Sequence, residues 1–240
     1  MDFYYDLHLH SALSPCGDED MTPNNIVNMA LIKGLHCIAL TDHNTCRNVP
    51  AVMALAEEAG LLIIPGMEVE TAEEVHVVCL FPTLEACESL GREVEARLPE
   101  IPNKPEIFGR QLVLDAEDEI VAEYDKLLIT ATAIPLEELV RMVRERGGVP
   151  IPAHIDRSSY SVVSNLGFMP PELAVRVVEF SKNCNVDDFL HQNPLALQKA
   201  YRKIQSSDAH YLGDISEAER SLPFDETPDA AAFLRELEKR

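Results

Sequence analysis

Near the start of the chain, Asp6-Leu7-His8-Leu9-His10 sets two imidazoles two residues apart in a run that reads as a strand. Strand side chains alternate faces, so His8 and His10 are expected on one face with Asp6, and Leu7 and Leu9 on the other. Two imidazoles on one rigid edge can grip a cation if distant partners exist. The chain has eight histidines, and several stand beside acids or small residues just where an apolar run stops. Thr41-Asp42-His43-Asn44 follows Ile38-Ala39-Leu40, and Gly66-Met67-Glu68 follows Leu62-Ile63-Ile64-Pro65. Ala153-His154-Ile155-Asp156-Arg157 follows Val149-Pro150-Ile151-Pro152, and Ser207-Asp208-Ala209-His210 follows Lys203-Ile204-Gln205. Strand ends carrying His, Asp and Glu are where α/β folds keep their chemistry.

Imidazole and carboxylate together suit zinc, manganese or iron. His8, His10, His43, Glu68, His76, His154, Asp208 and His210 make eight candidate ligands. One such ion takes about four to six ligands, so the set suggests two or three divalent metals, with a carboxylate such as Glu68 bridging. Such a cluster clamps the attacking and leaving oxygens of a phosphoryl transfer and lowers the pKa of a water. Arg157, three residues beyond His154, is the candidate to grip a substrate phosphate, because guanidinium matches phosphate oxygens in bidentate fashion. His36 and His191 stand outside the set; a structural role is expected for the first and a surface position for the second.

Short apolar runs alternate with helical patterns along the whole chain. Strands are expected at Tyr4–His10, His36–Thr41, Leu61–Pro65, Val75–Phe81, Val149–Ala153, Val175–Phe180 and Lys203–Ser206. Thr22-Pro23 starts one helix and Gly34 ends it. Leu136–Arg146 forms another, stopped at Gly147-Gly148, and a last helix is expected from Thr227-Pro228 onward. Seven strands alternating with helices predict an α/β fold with a parallel sheet, closed into a barrel, with a doubly wound sheet as the alternative. Residues 99–132 break this rhythm with Pro99, Pro102, Pro105 and Gly109, followed by an acidic, helix-like run. They read as an insertion or cap over one end of a single domain spanning 1–240.

Apolar residues make up 46% of the 240, enough for a large core. Six scattered cysteines form no framework; Cys37 and Cys79 lie inside apolar runs and are expected to pack as small hydrophobes. No stretch approaches the length of a membrane span and no export signal is visible, so the expected compartment is the cytoplasm and no membrane partner is expected. A formal net charge of −21 repels polyanions, which makes long nucleic acid an unfavourable partner. Oligomeric state is not legible.

Asp6-Leu7-His8-Leu9-His10-Ser11, Thr41-Asp42-His43, Gly66-Met67-Glu68, the lone His76, Ala153-His154 and Ser207-Asp208-Ala209-His210 resemble, in order, the motifs of the PHP (polymerase and histidinol phosphatase) metallophosphoesterases. That resemblance covers nearly the whole chain. It implies a distorted (β/α)7 TIM-like barrel with a metal cluster at the C-terminal ends of its strands. It also implies one metal on His8, His10, Glu68 and Asp208, a second on His43 and His210, and a third on Glu68, His76 and His154. Asp6 and Asp42 would accept hydrogen bonds that fix imidazole tautomers. The family usually adds a ligand to the second metal from the loop after the first strand, which here reads Ser14-Pro15-Cys16-Gly17-Asp18. A thiolate from Cys16 would favour zinc, and a carboxylate from Asp18, slightly preferred, manganese or iron.

The resulting expectation is hydrolysis of a small phosphomonoester (a sugar phosphate, histidinol phosphate or nucleotide) by a metal-activated water. His210, Asp208 or a metal-bound water is then the proton donor. The alternatives are an exonuclease or oligonucleotide phosphatase, a metal-dependent amidohydrolase, and a metal-binding regulatory module without activity.

Overall fold

The computed structural model describes residues 1–239. The elements follow one another as β1 (Asp2–Leu9), α1 (Pro23–Ile32), β2 (Cys37–Leu40), α2 (Val49–Ala59), β3 (Leu62–Glu70), β4 (His76–Leu80) and α3 (Leu84–Ala96). Next come α4 (Pro105–Phe108), β5 (Leu112–Leu114), β6 (Ile120–Glu123), α5 (Leu136–Glu145), β7 (Val149–Pro152) and α6 (Val162–Leu166). The chain ends with β8 (Val177–Ser181), α7 (Val186–Gln192), β9 (Arg202–Ser206), β10 (Ser221–Pro223) and α8 (Ala230–Leu237).

All seven expected strands are present, as β1–β4 and β7–β9. Six strands form one curled sheet in the order β10-β1-β2-β3-β4-β7, and β8-β9 form a separate parallel pair. That pair sits between β7 and the C-terminal end of β1. Ile155 N, just after β7, donates to Glu179 O on β8 at 2.9 Å, and His10 N, just after β1, donates to Ala209 O beyond β9 at 3.0 Å.

The expectation of an all-parallel sheet fails at β4. Parallel neighbours need a crossover of a dozen residues or more, and only 71–75 separate β3 from β4. Thr71 N donates to Val75 O at 2.9 Å, so the chain turns back as a hairpin that sets Glu70 opposite His76. β4 is therefore antiparallel to both neighbours. His76 enters the site from the N-terminal end of its strand, whereas the other site histidines come from C-terminal ends.

Strict alternation also fails on β1. Its pairing with β2 shifts register between Asp6 and Leu9. Phe3, Tyr5 and Leu7 pack inside the curl against Ala39, Ile64, Val78, Val177 and Phe233 of α8. Leu9 instead joins the outer core with Ile38, Leu40, Met67 and helix residues such as Ile26 and Leu139. One extra residue in a strand re-aims the side chains beyond it. Leu7 and Leu9 thus part company, and Asp6 leaves the histidine face.

Helix α1 starts on the Thr22 cap and the chain turns at Gly34 with φ +74°, as its sequence predicts. The last helix begins at Ala230, later than Thr227-Pro228, because Asp229 supplies its cap, accepting from Ala232 N at 2.6 Å. Within 99–132 the acidic run is a β-hairpin, not a helix. Asp115 Oδ1 accepts from the N–H groups of both Glu117 and Glu119, which bends the chain back at that point. The hairpin is fastened to the site loops: Leu112 N donates to Ala12 O at 2.9 Å, and Asn48 bonds both Leu112 O and Leu114 N. No helix among the described residues is long and apolar enough to cross a membrane.

Candidate metal centre

Glu68, on the C-terminal half of β3, is buried with five imidazoles around its carboxylate. Its Oε1 lies 3.0 Å from His76 Nδ1, 3.3 Å from His8 Nε2 and 3.3 Å from His154 Nε2. Its Oε2 lies 3.1 Å from His43 Nδ1 and 3.5 Å from His10 Nε2. Asp208 completes one side, with Oδ1 at 3.1 Å from His10 Nε2 and 3.3 Å from His8 Nε2. Three overlapping groups have all their ligand atoms within 4.8 Å of one another: His8, His10, Glu68 and Asp208; His10, His43 and His210; and His43, Glu68 and His76. The first is the set expected for one metal. In the second His10 joins the expected His43 and His210, and in the third His43 stands where His154 was expected.

The residues that orient these imidazoles differ from expectation. Asp42 touches no imidazole: it accepts from Ser11 N, Ser11 Oγ and Ser14 Oγ at 2.6–2.7 Å. Ser14 Oγ in turn lies 2.9 Å from His10 Nδ1, so Asp42 acts on His10 through a hydroxyl. Asp6 accepts from Ser207 N and Ser216 N, both at 2.9 Å, and so pins the two ends of the loop carrying Asp208 and His210. Direct contact with His8 Nδ1 falls to Glu179, at 2.9 Å, a residue the sequence reading passed over. The available signal was an acid inside the apolar run Val177-Val178-Glu179-Phe180. Such an acid stays buried only with a partner.

Two site residues, His154 and Asp208, hold left-handed backbone, with φ +30° and +52°. Non-glycine residues rarely adopt it, and they hold it where surrounding structure over-determines them, often at functional sites. Arg157 spends one terminal nitrogen on Asp208 Oδ2, at 2.7 Å, and its side chain remains 45% exposed. Cys16 and Asp18 behave differently. Burial pushes the Cys16 thiol up, but hydrogen bonds with His210 and His43 outweigh it and bring it down to about 6. Asp18 turns its carboxylate to its own loop, where Oδ1 accepts from Asp20 N at 2.9 Å. His36 is a surface residue whose Nδ1 accepts from Tyr4 N, and His191 is exposed on α7.

Burial opposes charge on Glu68, yet His76 and His8 hold its carboxyl well below the usual range. Burial likewise pulls His8 down, but Glu179, Glu68 and Asp208 raise it well above an ordinary histidine. His10 goes the other way, lowered by burial and by its neighbours His210 and His43. The Nε2 atoms of His8 and His10 face each other at 3.2 Å, beside Asp208. The buried carboxylates Asp6, Asp42, Glu68, Glu70 and Glu179 pair with no lysine or arginine among the described residues, and the half-buried Asp208 pairs with Arg157. Buried carboxylates without a cation are costly. A donor set of imidazole and carboxylate with that charge deficit fits divalent cations of the zinc, manganese and iron type.

Comparison with known proteins agrees with this geometry. The PHP domain family model matches residues 6–167. The chain belongs to the PHP domain family. This is a family of metal-dependent phosphoesterases. A 5'-3' exoribonuclease of Haemophilus influenzae is 35% identical over 79 residues, which cover 32% of this chain and 28% of that protein. An uncharacterized protein of Methanocaldococcus jannaschii is 26% identical over 98% of this chain and 25% of its own length. The chain thus spans only about a quarter of the length of these relatives. Among solved structures, the lesion-specific endonuclease Q of Pyrococcus furiosus superposes with a TM-score of 0.62 at 19% identity, over 88% of this chain and 49% of that one. A Bifidobacterium adolescentis protein provisionally assigned as a metal-dependent phosphoesterase gives 0.60 at 18% identity, over 98% and 96%.

Proposed function

We propose that this chain is a phosphoesterase using two or three divalent ions, and that its substrate is a small phosphomonoester such as a sugar phosphate, histidinol phosphate or nucleotide. The observation that carries the reading is the carboxylate of Glu68 within 3.5 Å of five imidazoles. His8, His10, Glu68 and Asp208 would hold one ion, and His43 and His210 a second. Glu68, His76 and His154 would hold a third. When bound, such ions supply Lewis acidity toward phosphoryl oxygens and lower the pKa of water. Cys16 is the better candidate to complete the second set, since His43 and His210 bring its thiol down to about 6 while Asp18 is engaged with its own loop, and a thiolate favours zinc. The exposed nitrogens of Arg157 would take a substrate phosphate oxygen at the rim while Asp208 holds the guanidinium in place.

The leaving oxygen needs a proton, and His210 would supply it. Burial pushes the Asp208 carboxyl up, but His8 and His10 outweigh it and hold it well below the usual range, so it carries no proton. His210 Nδ1 lies 2.9 Å from Asp208 O, which orients the ring, and its side chain is 21% exposed against 7% for Asp208. The more exposed His210 can recover its proton from solvent. The test is to strip the protein with a chelator, reload it with zinc, manganese or ferrous iron, and measure phosphate release over a metabolite panel. Release that follows metal content supports the reading; a fully loaded protein that hydrolyses no ester overturns it.

A second reading, trimming of oligonucleotide ends, has its own support. Tyr160 stacks on His76 with ring centroids 4.8 Å apart, and is 47% exposed. An exposed ring beside the site is a surface on which a base can stack. Relatives bear the names exoribonuclease and endonuclease Q. The charge of −21 therefore gives no sufficient ground for setting nucleic acid aside. A labelled single strand offered to the same loaded protein separates the two readings by whether nucleotides or inorganic phosphate are released.

A further inference from the structure

Glu179 is the one acid on β8, and 1% of its surface is exposed. It stands on the inner face of β8 with Val177, while Val178 and Phe180 face the outer core. Its Oε1 lies 2.9 Å from His8 Nδ1 and accepts from His154 N at 3.2 Å. Oε2 has no partner among the described residues, and no lysine or arginine pairs with Glu179 there. Its polar contacts are therefore both with candidate ligands, one through a ring and one through the backbone. The unpartnered hydroxyls of Ser181 and Ser206 stand on the same inner face, opposite one another in register.

We propose that Glu179 is the positioning residue of the metal centre, fixing His8 as its Nδ1–H tautomer with Nε2 aimed at Glu68 and Asp208, and anchoring the left-handed backbone of His154 through the same oxygen. A carboxylate accepts but does not donate, so the proton of His8 must sit on Nδ1, which frees the Nε2 lone pair for a cation. His154 carries φ +30°, a conformation that needs an external hold, and the bond from its N–H to Glu179 provides one. One buried side chain thereby sets the geometry of ligands from two different groups, on β1 and after β7. This inference rests on the metal centre proposed above, not on the identity of the ester.

The test compares Glu179→Gln and Glu179→Ala with the native protein by zinc titration against a chromogenic chelator, and by nitrogen-15 spectra of the histidine rings in the metal-free state at a pH alkaline enough for His8 to be neutral. Glu179→Gln keeps an acceptor for both donors and removes only the charge, so it should fold as the native chain does and bind zinc roughly tenfold more weakly. Glu179→Ala should lose about a hundredfold, and His8 should change from a single Nδ1–H tautomer to a mixture. Native zinc affinity in Glu179→Gln, or an unchanged His8 tautomer in a folded Glu179→Ala, overturns the proposal. Should Glu179→Ala not fold, the zinc affinity of Glu179→Gln decides alone. Both measurements are made without substrate. A native protein that binds zinc and hydrolyses nothing therefore fails as a phosphoesterase and leaves this inference standing.

Discussion

A carboxylate ringed by five imidazoles has no use for so many partners unless something more highly charged than a proton sits among them. Each imidazole nitrogen that faces Glu68 or Asp208 offers either a proton or a lone pair, and a divalent cation is the species that turns the lone pairs into bonds. His10→Ala and Asp208→Asn should accordingly lower phosphate release by roughly a thousandfold, since a metal's contribution is worth several kcal/mol. Circular dichroism should show the fold near intact in both. Full activity with unchanged metal content would rule the assignment out. Cys16 gives an independent check. Its thiol is brought to about 6 while Cys184 is pushed up to about 11. Thiolate is the reactive form, so alkylation of Cys16 in the metal-free protein should rise as pH passes upward through about 6 and be fast at pH 7. Zinc should protect it; alkylation indifferent to zinc would favour Asp18 as the ligand. The site histidines were readable in the sequence because they stand where apolar runs stop. Glu179 was not, because a lone acid inside a strand signals burial without naming its partner.

At the scale of elements, what aims these side chains is a set of departures from regular structure. The register shift on β1 separates Leu7 from Leu9 and takes Asp6 off the histidine face, where it pins Ser207 and Ser216 instead. The hairpin after β3 brings His76 in from the wrong end of a strand. The loop after β1 turns on itself so tightly that a Cβ on Gly17 would run into the carbonyl oxygen of Ser11 and lie 3.1 Å from that of Ser14. Gly17→Ala should therefore shift the loop that holds Cys16. Metal titration should show loss of one ion from the native number with the others retained, and an unchanged stoichiometry would argue against this loop as a ligand source. Alternation rules predict the strands but not these breaks, because a bulge or a tight hairpin is fixed by pairing partners far away in sequence.

For the whole molecule, the candidate metal centre lies where the curled sheet meets the β8-β9 pair: His8, His10, His43, Glu68 and His76 come from one, and Asp208 and Glu179 from the strands and loop of the other. An ion bound across that seam stabilises only the folded chain. At a metal concentration a hundred times the dissociation constant this is worth about 2.7 kcal/mol per site, or about 5–10 °C in melting temperature for a chain of this size. Stripping with a chelator should lower the melting temperature by about that amount for each ion removed, and readdition should restore it. A melting curve indifferent to both would mean that no ion bridges the seam.

The sequence by itself determined the seven expected strands, the helices α1 and α5 and most of the side chains that gather round Glu68, since apolar periodicity and the side chains placed at run ends are local properties. Only the tertiary structure decided which face each residue takes and which acid orients which imidazole. It also decided that Asp18 turns its carboxylate back onto its own loop, where it accepts from Asp20 N, while His43 and His210 draw the Cys16 thiol down. Those outcomes depend on strand register and on hydrogen bonds between residues as far apart as 210 positions in the chain, as between Asp6 and Ser216. No local pattern encodes a distance of that kind.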